Sequence, residues 1–177
     1  MQIHTERLTI RDMVDQDWVS IHRYTSMPEV TVHTAWGPNT EQDTQRYVQD
    51  VLRMQQASPR TGYEFVLCLK EEGILIGGAG LHITEQTNAE LGYVLHPAYQ
   101  GKGYITEACS ALIELGFHKL DVHRIFAKCR PDNVASEKVM QRLCMKLEGR
   151  MREHWLYKGT YHDSLLYSIL KHEFEGA

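Results

Sequence analysis

Ala89-Glu-Leu-Gly-Tyr-Val-Leu-His-Pro-Ala-Tyr-Gln-Gly-Lys-Gly-Tyr-Ile-Thr-Glu-Ala108 is the stretch of sequence that decides the fold. Its first part, from Glu90 to Leu95, is typical of a strand, which Pro97 brings to an end. A short glycine loop follows and passes directly into a helix predicted from Tyr104 to Phe117. The first turn of a helix carries backbone N–H groups without partners and the positive end of the helix dipole. Gly101 and Gly103 would let a phosphate approach those groups, so the loop is predicted to hold a pyrophosphate.

Other glycine signatures fit this loop poorly. A P-loop requires G-x-x-x-x-G-K-[ST], but His96 stands where the first glycine belongs and Gly103 where serine or threonine belongs. A dinucleotide-binding loop requires G-x-G-x-x-G, and Thr106 takes the place of its third glycine. From spacing alone, the loop is equally consistent with phosphate binding and with an ordinary helix start. A second glycine run, residues 77 to 80, lies inside a strand pattern and predicts close backbone approach or a bulge.

The composition predicts a single domain spanning residues 1–177. With 177 residues, of which 42% are hydrophobic, the chain can form one sizeable core but is short for two domains. The net charge of −4, from 19 basic and 23 acidic residues, indicates no nucleic-acid partner and no polybasic membrane surface. The charged start of the sequence and the lack of long apolar runs predict no signal peptide and no transmembrane helix.

The cysteines and histidines indicate neither a disulfide framework nor a metal site. The four cysteines, Cys68, Cys109, Cys129 and Cys144, are widely spaced and form no C-x-x-C pair. This pattern predicts free, mostly buried thiols in a reducing compartment, most simply the cytoplasm. The ten histidines are scattered without H-E-x-x-H spacing, so no metal is expected.

The hydrophobic periodicity predicts seven strands and four helices. The predicted strands are Leu8 to Arg11, Glu64 to Lys70, Ile74 to Ile83, Glu90 to Leu95, Arg124 to Arg130, Glu148 to Leu156 and Ser164 to Lys171. The predicted helices are Asp15 to Ser26, Thr40 to Gln56, Tyr104 to Phe117 and Val134 to Leu143. A meander of strands, two strand–helix units and a terminal hairpin predict an α/β (mixed α+β) fold, with one mixed sheet and helices on both faces.

Several motifs in the same order resemble the GNAT N-acetyltransferases, in particular the branch of the ribosomal-protein serine and alanine N-acetyltransferases. Besides the glycine loop, they are Thr5-Glu-Arg-Leu8, Ile76-Gly-Gly78, Asn133-Val-Ala-Ser136, Glu148-Gly149 and Gly159-Thr-Tyr-His-Asp163. The resemblance covers nearly the whole chain. It implies a mostly antiparallel sheet that splays between the fourth and fifth strands, and acetyl-CoA as co-substrate without a metal.

The resemblance also implies which residues hold the co-substrate. The pyrophosphate would be bound by Gln100, Gly101, Lys102, Gly103, Tyr104 and Ile105, mainly through backbone N–H groups. Val94 and Leu95 would pair with the pantetheine arm at the splayed strand edge, where one N–H would face the acetyl oxygen. Asn133, which is also a good helix N-cap, would bond the pantetheine. Ser136 would donate a hydrogen bond to the leaving thiolate, as the catalytic acid.

Glu90 is the candidate catalytic base. Strand alternation places Glu90, Gly92 and Val94 on one face of the sheet. A carboxylate in a central strand is costly unless it is paired or used. Two roles therefore stay open: Glu90 accepts a proton, directly or through water, or it forms a structural ion pair with an arginine such as Arg11 or Arg124.

The acceptor pocket is predicted from aromatic residues. Trp36, in the loop between the first two helices, and Trp155, Tyr157 and Tyr161, in the last hairpin, are candidates for its walls. Aromatic side chains at such positions also serve as ordinary packing, and this alternative stays open.

Two positions depart from the family pattern. Ile105 stands where a small residue is usual, and it is expected to point away from a phosphate held by backbone N–H groups. Leu143-Cys144-Met145 replaces the usual leucine-glycine-phenylalanine, so the conformation at the end of the last predicted helix is in question.

The sequence therefore predicts an acetyl-CoA-dependent N-acetyltransferase that acts by direct attack of a primary amine in a ternary complex. The acceptor is a protein N-terminal α-amine or a small molecule such as an antibiotic, a polyamine or an amino acid. A non-catalytic acetyl-CoA-binding module and a site for another phosphate ligand, such as a nucleotide, are the alternatives. The oligomeric state is left open between monomer and homodimer.

Overall fold

Eight strands and five helices are present in residues 1–85 and 87–176, the part of the chain that this computed structural model describes. The strands are β1 (Gln2–His4), β2 (Leu8–Asp12), β3 (Gly62–Leu69), β4 (Leu75–Glu85), β5 (Asn88–Leu95), β6 (Arg124–Cys129), β7 (Lys146–Tyr157) and β8 (Thr160–Leu170). The helices are α1 (Trp18–Thr25), α2 (Glu41–Gln56), α3 (Tyr104–His118), α4 (Val134–Arg142) and α5 (Lys171–Glu175).

All eight strands form one sheet in the order β1-β2-β3-β4-β5-β6-β8-β7. Only β5 and β6 run parallel, and the other neighbours are antiparallel. The seven predicted strands and four predicted helices are therefore confirmed, with ends shifted by a few residues. The two additional elements are β1 and α5, which have three and five residues and are too short to show a hydrophobic period.

The sheet opens between β5 and β6, the fourth and fifth strands of the prediction. In the described residues, β5 pairs with β6 at three positions, ending with Glu90 opposite Phe126. Beyond that pair, β5 continues to Leu95 and β6 to Cys129 without a shared ladder. The backbone edges that face this gap are therefore free to pair with something other than a strand.

The two faces of the sheet carry separate hydrophobic clusters. The α3–α4 face is packed on the larger cluster, which includes Leu81, Leu91, Leu112 and Ile125. The α1–α2 face is packed on a smaller cluster, which includes Ile21, Tyr24 and Val48. The sheet is thus covered on both sides, and the large cluster fixes α3 beneath the end of β5.

Local sequence explains where the helices begin. Thr40 caps α2, because its side chain accepts from the Asp43 N–H at 3.2 Å and the Asp43 carboxylate accepts from the Thr40 N–H at 3.1 Å. Helix α3 begins after Gly103, whose positive φ of 84° turns the chain from the loop into the helix.

The end of α4 keeps a glycine-like conformation without a glycine. Cys144 has φ of 59°, in the left-handed region. The Met145 N–H donates to the Met140 carbonyl at 3.1 Å, and Cys144 donates to Gln141 at 3.0 Å. These hydrogen bonds end the helix in the way usually associated with glycine. Cysteine in place of glycine at position 144 therefore keeps the turn, but its backbone is strained by the positive φ.

No helix in residues 1–85 or 87–176 has the length and hydropathy needed to cross a membrane.

Candidate active site

The loop between β5 and α3 presents free backbone N–H groups. Gly101 and Gly103 both adopt positive φ, 75° and 84°. No side chain caps α3, and within the described residues no acceptor is found for the N–H groups from Gly101 to Thr106. These groups and the positive end of the α3 dipole converge on one spot, so the loop has the chemistry of an anion cradle.

The side chains of Gln100 and Ile105 are engaged away from that cradle. The side chain of Ile105 is buried in the larger hydrophobic cluster, so it points away from the backbone N–H groups of the loop, as predicted. Gln100 donates from its Nε2 to the carbonyl of Leu95 at 3.3 Å, tying the loop to the end of β5. Lys102 is exposed, with its Nζ 5.4 Å from the centre of the Tyr99 ring, so its positive charge stays beside the loop.

A clasp from the start of the chain holds the first turn of α3. The Glu107 carboxylate accepts from the Thr5 hydroxyl at 2.6 Å, from the Arg7 N–H at 2.8 Å and from Arg7 Nε at 2.7 Å. Arg7 also donates to the carbonyl of Lys102 at 2.9 Å and lies over the ring of Tyr104. The loop geometry is thereby fixed before any ligand arrives.

Glu107 remains ionised because of this clasp. Partial burial by itself would raise the pKa of Glu107, but the hydrogen bonds from Thr5 and Arg7 outweigh it and lower the pKa. No role for Glu107, Arg7 or Thr5 was predicted from the sequence. The only indication in the sequence was the motif Thr5-Glu-Arg-Leu8. Its partner, Glu107, lies about a hundred positions further along the chain.

On the edge opposite the gap, β5 pairs closely with β4. A side chain at Gly77 would come within 2.4 Å of the carbonyl oxygen of Val94, so only glycine fits there. The predicted close approach of the glycine run is therefore confirmed. The pairing of Gly78 with Val94 and of Gly77 with Leu95 fixes the strand edge that faces the gap.

Ser136 and Asn133 lie at the mouth of α4, beside this edge. Asn133 is the N-cap of α4, and its Oδ1 accepts from the Ser136 N–H at 3.2 Å. The Tyr93 hydroxyl lies 2.8 Å from Ser136 Oγ and donates to the Ser136 carbonyl at 3.1 Å. Burial raises the pKa of Tyr93, so the phenol stays protonated and holds the serine in place.

Glu90 forms an ion pair, but with a different partner from those predicted. Its Oε1 lies 3.1 Å from Lys128 Nζ on β6, and its side chain is 35% exposed. The predicted partners are engaged elsewhere: Arg11 with Asp17 at 2.7 Å and Arg124 with Glu148 at 2.8 Å. The parallel pairing of β5 with β6 places Lys128 beside Glu90, and this register could not be read from the sequence.

The four aromatic residues predicted to line the acceptor pocket differ in their exposure. Trp36 and Tyr161 are exposed. Tyr157 is 9% exposed and stacks on His162, with the two ring centres 3.9 Å apart. Trp155 is exposed, and the Nζ of Lys128 lies 5.8 Å from the centre of its ring. Of the four aromatic residues, Trp155 is the one linked to Glu90, through their shared neighbour Lys128.

The loop between α1 and α2 contacts the β7–β8 hairpin and the segment before α4. Lys158, at the tip of the β7–β8 hairpin, donates to the Thr31 carbonyl at 2.7 Å. His33 lies 3.5 Å from Asp132, the residue before Asn133. This loop, which also carries Trp36, therefore lies beside the tip of the β7–β8 hairpin and the residues that lead into α4.

Within residues 1–85 and 87–176, no group of three or more His, Cys, Asp or Glu side chains is arranged to hold a metal ion.

Comparison with known proteins gives a consistent result. Residues 7–146 match the family described as "Acetyltransferase (GNAT) domain". The uncharacterized N-acetyltransferase YnaD of Bacillus subtilis (strain 168) is 34% identical over 176 residues, which are 98% of this chain and 99% of that protein. The ribosomal-protein-serine acetyltransferase of Escherichia coli (strain K12) is 33% identical over 131 residues, 73% of this chain and 71% of that protein. The crystal structure of a GNAT-family acetyltransferase from Bacillus anthracis superimposes with a TM-score of 0.88 at 33% identity, covering 98% of this chain and 100% of that one.

Proposed function

Because this chain belongs to the GNAT acetyltransferase family, we propose that it transfers the acetyl group of acetyl-CoA to a primary amine by direct attack in a ternary complex. The observation that carries the proposal is the set of unpartnered N–H groups at the mouth of α3, beside an open strand edge. A diphosphate and a pantetheine arm have the shapes and hydrogen-bonding groups that these two features require.

The donor is held mainly by backbone. The N–H groups from Gly101 to Ile105 bind the diphosphate, and Lys102 adds positive charge. The gap-facing edge of Val94 and Leu95 pairs with the amide groups of the pantetheine arm. One N–H of this edge would stabilise the negative charge that develops on the acetyl oxygen. Asn133 has an amide nitrogen left for the same arm, since its oxygen caps α4.

Ser136 is assigned as the acid that assists the leaving thiolate. Its hydroxyl lies at the mouth of α4 and is held by Tyr93. A thiol has a pKa of about 8.5, so a hydrogen bond to the departing sulfur is enough for it to leave near neutral pH. Tyr93 is a positioning residue, because it acts through Ser136.

Glu90 is assigned to the acceptor side, where it supplies negative charge near the point at which β5 and β6 separate. Its role as the base stays a prediction.

The acceptor is proposed to be the α-amine of a protein N-terminus. The E. coli relative is named as a ribosomal-protein-serine acetyltransferase, and it matches 73% of this chain. Exposed Trp36 and Tyr161, together with Tyr157, are proposed to line the path of the acceptor. A small-molecule amine is the alternative, and the acceptor assay distinguishes the two. The four free thiols fit a reducing compartment such as the cytoplasm.

The proposal is tested by acetyl transfer from acetyl-CoA to a panel of acceptors. The panel contains peptides beginning with serine or alanine, spermidine, free amino acids and an aminoglycoside. We expect the peptides to give the highest kcat/KM. Ser136→Ala should lower kcat by about 10-fold to 100-fold with little change in the KM for acetyl-CoA. A thermal-shift titration should show stabilisation by CoA well above that by ATP.

A different result would contradict each part of the proposal: the catalysis, the identity of the ligand and the role of Ser136. No acetylation of any acceptor, combined with stabilisation by CoA, would indicate a non-catalytic binding module. Stronger stabilisation by ATP than by CoA would indicate a nucleotide site instead. A rise in KM alone for Ser136→Ala would move this residue from catalysis to binding.

A further inference from the structure

On the α1–α2 face of β4 and β5, the open space above Gly92 forms a trough, bordered by Glu64 over Gly80 and by Tyr24 over Gly78. Gly78 and Gly80 alternate onto this face of β4, and Gly92 does so on β5. Gly80 pairs directly with Gly92. In the described structure, a side chain at Gly92 would meet no atom within 4 Å, so the space above it is open. The trough lies on the same strand edge as the proposed acetyl site, on the face opposite α3 and α4.

Glu64 reaches into this trough from the neighbouring strand. Glu64 on β3 pairs with Gly80, and its carboxylate lies over that glycine. A side chain at Gly80 would come within 2.8 Å of Glu64 Cδ and within 2.9 Å of its Oε2. The missing side chain of Gly80 is therefore what lets the carboxylate lie over β4, one strand away from the open space above Gly92.

The Glu64 carboxylate is held by two neighbours, one of which leads to solvent. Oε1 lies 2.5 Å from His82 Nε2, and Oε2 accepts from the Tyr47 hydroxyl at 3.2 Å. Glu64 is 19% exposed, whereas His82 is 41% exposed. A proton that arrives on Glu64 thus has a histidine at hydrogen-bond distance, and that histidine is in contact with water.

We propose that Glu64 is the catalytic residue that takes a proton from the acceptor ammonium in this trough, and that His82 passes the proton to solvent. This inference rests on the proposed acetyltransferase function. It identifies the acceptor as a cationic primary amine, because the trough presents a carboxylate to a group above a floor without side chains.

The proposed step balances as follows. The ammonium gives one proton to the Glu64 carboxylate, which leaves a neutral amine with a free electron pair. That pair forms the new bond to the acetyl carbon, and the carbon–sulfur bond breaks with its electrons going to sulfur. The amine loses a second proton, which ends on the sulfur with the help of Ser136. The first proton leaves Glu64 through His82, so the net products are the amide, the thiol and one proton in solution.

Other charged and titratable groups around the trough do not offer the same path. Glu90 lies opposite His82 in the sheet, and it is paired with Lys128, which cannot accept a proton while charged. Tyr47 on α2 and Tyr24 on α1 face Glu64, and burial raises the pKa of both phenols, so they remain neutral donors. Glu64 raises the pKa of His82 through their hydrogen bond, so His82 is favoured in its protonated form while Glu64 is ionised. Once Glu64 takes the proton of the ammonium, that support is lost, and His82 releases its own proton to water and accepts the one from Glu64.

The test compares Glu64→Gln, Glu64→Asp and the control Glu71→Gln, an exposed glutamate just beyond the far end of β3. The acceptor is the panel peptide that the wild type acetylates fastest, measured from about pH 6 to about pH 9.5. At pH 7, Glu64→Gln should lower kcat/KM for the acceptor by about 100-fold, the usual contribution of a general base. The loss should shrink towards pH 9.5, because the N-terminal α-amine of the peptide, with a pKa of about 8, is then neutral in solution. Glu64→Asp should recover part of the activity, and Glu71→Gln should match the wild type.

Two further variants keep the proposal open to refutation if Glu64→Gln is unstable. His82→Gln should lower kcat/KM by about 10-fold at pH 7 and by less at high pH. Glu90→Gln should raise the acceptor KM without a loss that high pH restores. The proposal is overturned if Glu64→Gln and His82→Gln keep the wild-type pH profile, or if only Glu90→Gln shows the pH-dependent loss. Inactive wild type would instead refute the proposed function, and retained CoA stabilisation in each variant shows that the donor site is intact.

Discussion

At the scale of single residues, the clasp on Glu107 links the start of the chain to the loop that is proposed to hold the diphosphate. Thr5 and Arg7 give the carboxylate three hydrogen bonds, and Arg7 also holds the carbonyl of Lys102 in the loop. Hydrogen bonds to a charged group contribute about 1.5 to 3 kcal/mol each when nothing replaces them. The loop can therefore keep its amides pointed outward without a ligand to organise them.

The clasp makes a prediction with a defined dependence on pH. The pKa of Glu107 is lower in the folded protein than in the unfolded chain, so its stabilisation is present above the ordinary carboxyl pKa and is lost as the pH falls through the folded value. Glu107→Gln should lower the free energy of unfolding by about 2 kcal/mol at pH 7, with a smaller difference near about pH 3. Urea unfolding of the wild type and the variant at several pH values measures the loss of stability and its dependence on pH.

Glu114→Gln is the matched control, because Glu114 is an exposed glutamate of the same helix. It should be close to the wild type at every pH. A destabilisation of Glu107→Gln that stays the same from pH 7 to about pH 3 would show that the charge of Glu107 does not contribute.

The residue scale also shows where sequence reasoning stops. Strand alternation correctly separated the face of Glu90 and Val94 from the face of Leu91, and Asn133 was correctly identified as a helix cap. The partner of Glu90 was wrong, because Lys128 lies beside it only through the parallel register of β5 and β6. Glu64 could have been found by the argument used for Glu90, since it too is a carboxylate inside a strand.

At the scale of elements, the helices and strands were largely predictable. Hydrophobic periods, glycines and caps located α1 to α4 and β2 to β8 to within a few residues. What the pattern could not supply was the geometry of the turns, which depends on backbone conformation. The end of α4 is the clearest case, because Cys144 adopts a positive φ that its side chain disfavours.

This strained turn makes a prediction about stability. A non-glycine residue in the left-handed region costs about 1 to 2 kcal/mol, and glycine removes that cost. Cys144→Gly should therefore raise the free energy of unfolding by about 1 kcal/mol and the Tm by about 2 to 4 °C for a domain of this size.

Cys144→Ala separates strain from the loss of the thiol, because alanine keeps a side chain at the same φ. It should unfold close to the wild type in the same thermal or urea measurement. Equal stability of the glycine and alanine variants would mean that the turn stores no strain.

At the scale of the whole molecule, the candidate site is formed by two features of one sheet. β5 and β6 separate after Glu90, and the loop that follows β5 enters α3 with its amides free. The free amides before α3 were predicted from the glycine loop itself. The separation of β5 and β6 was predicted only from the resemblance to a family, because it depends on the order of the strands. In the proposed function both faces of the sheet are used: the donor and its thiolate lie near α3 and α4, and the acceptor lies on the side of α1 and α2.

The most direct test is a crystal structure of the wild-type protein with coenzyme A. The account predicts the diphosphate within hydrogen-bond distance, about 2.7 to 3.2 Å, of backbone nitrogens between Gly101 and Ile105, with the pantetheine arm along the free edge of β5 and its sulfur near Ser136. Coenzyme A bound elsewhere, or a diphosphate held by side chains while these nitrogens remain unused, would contradict it.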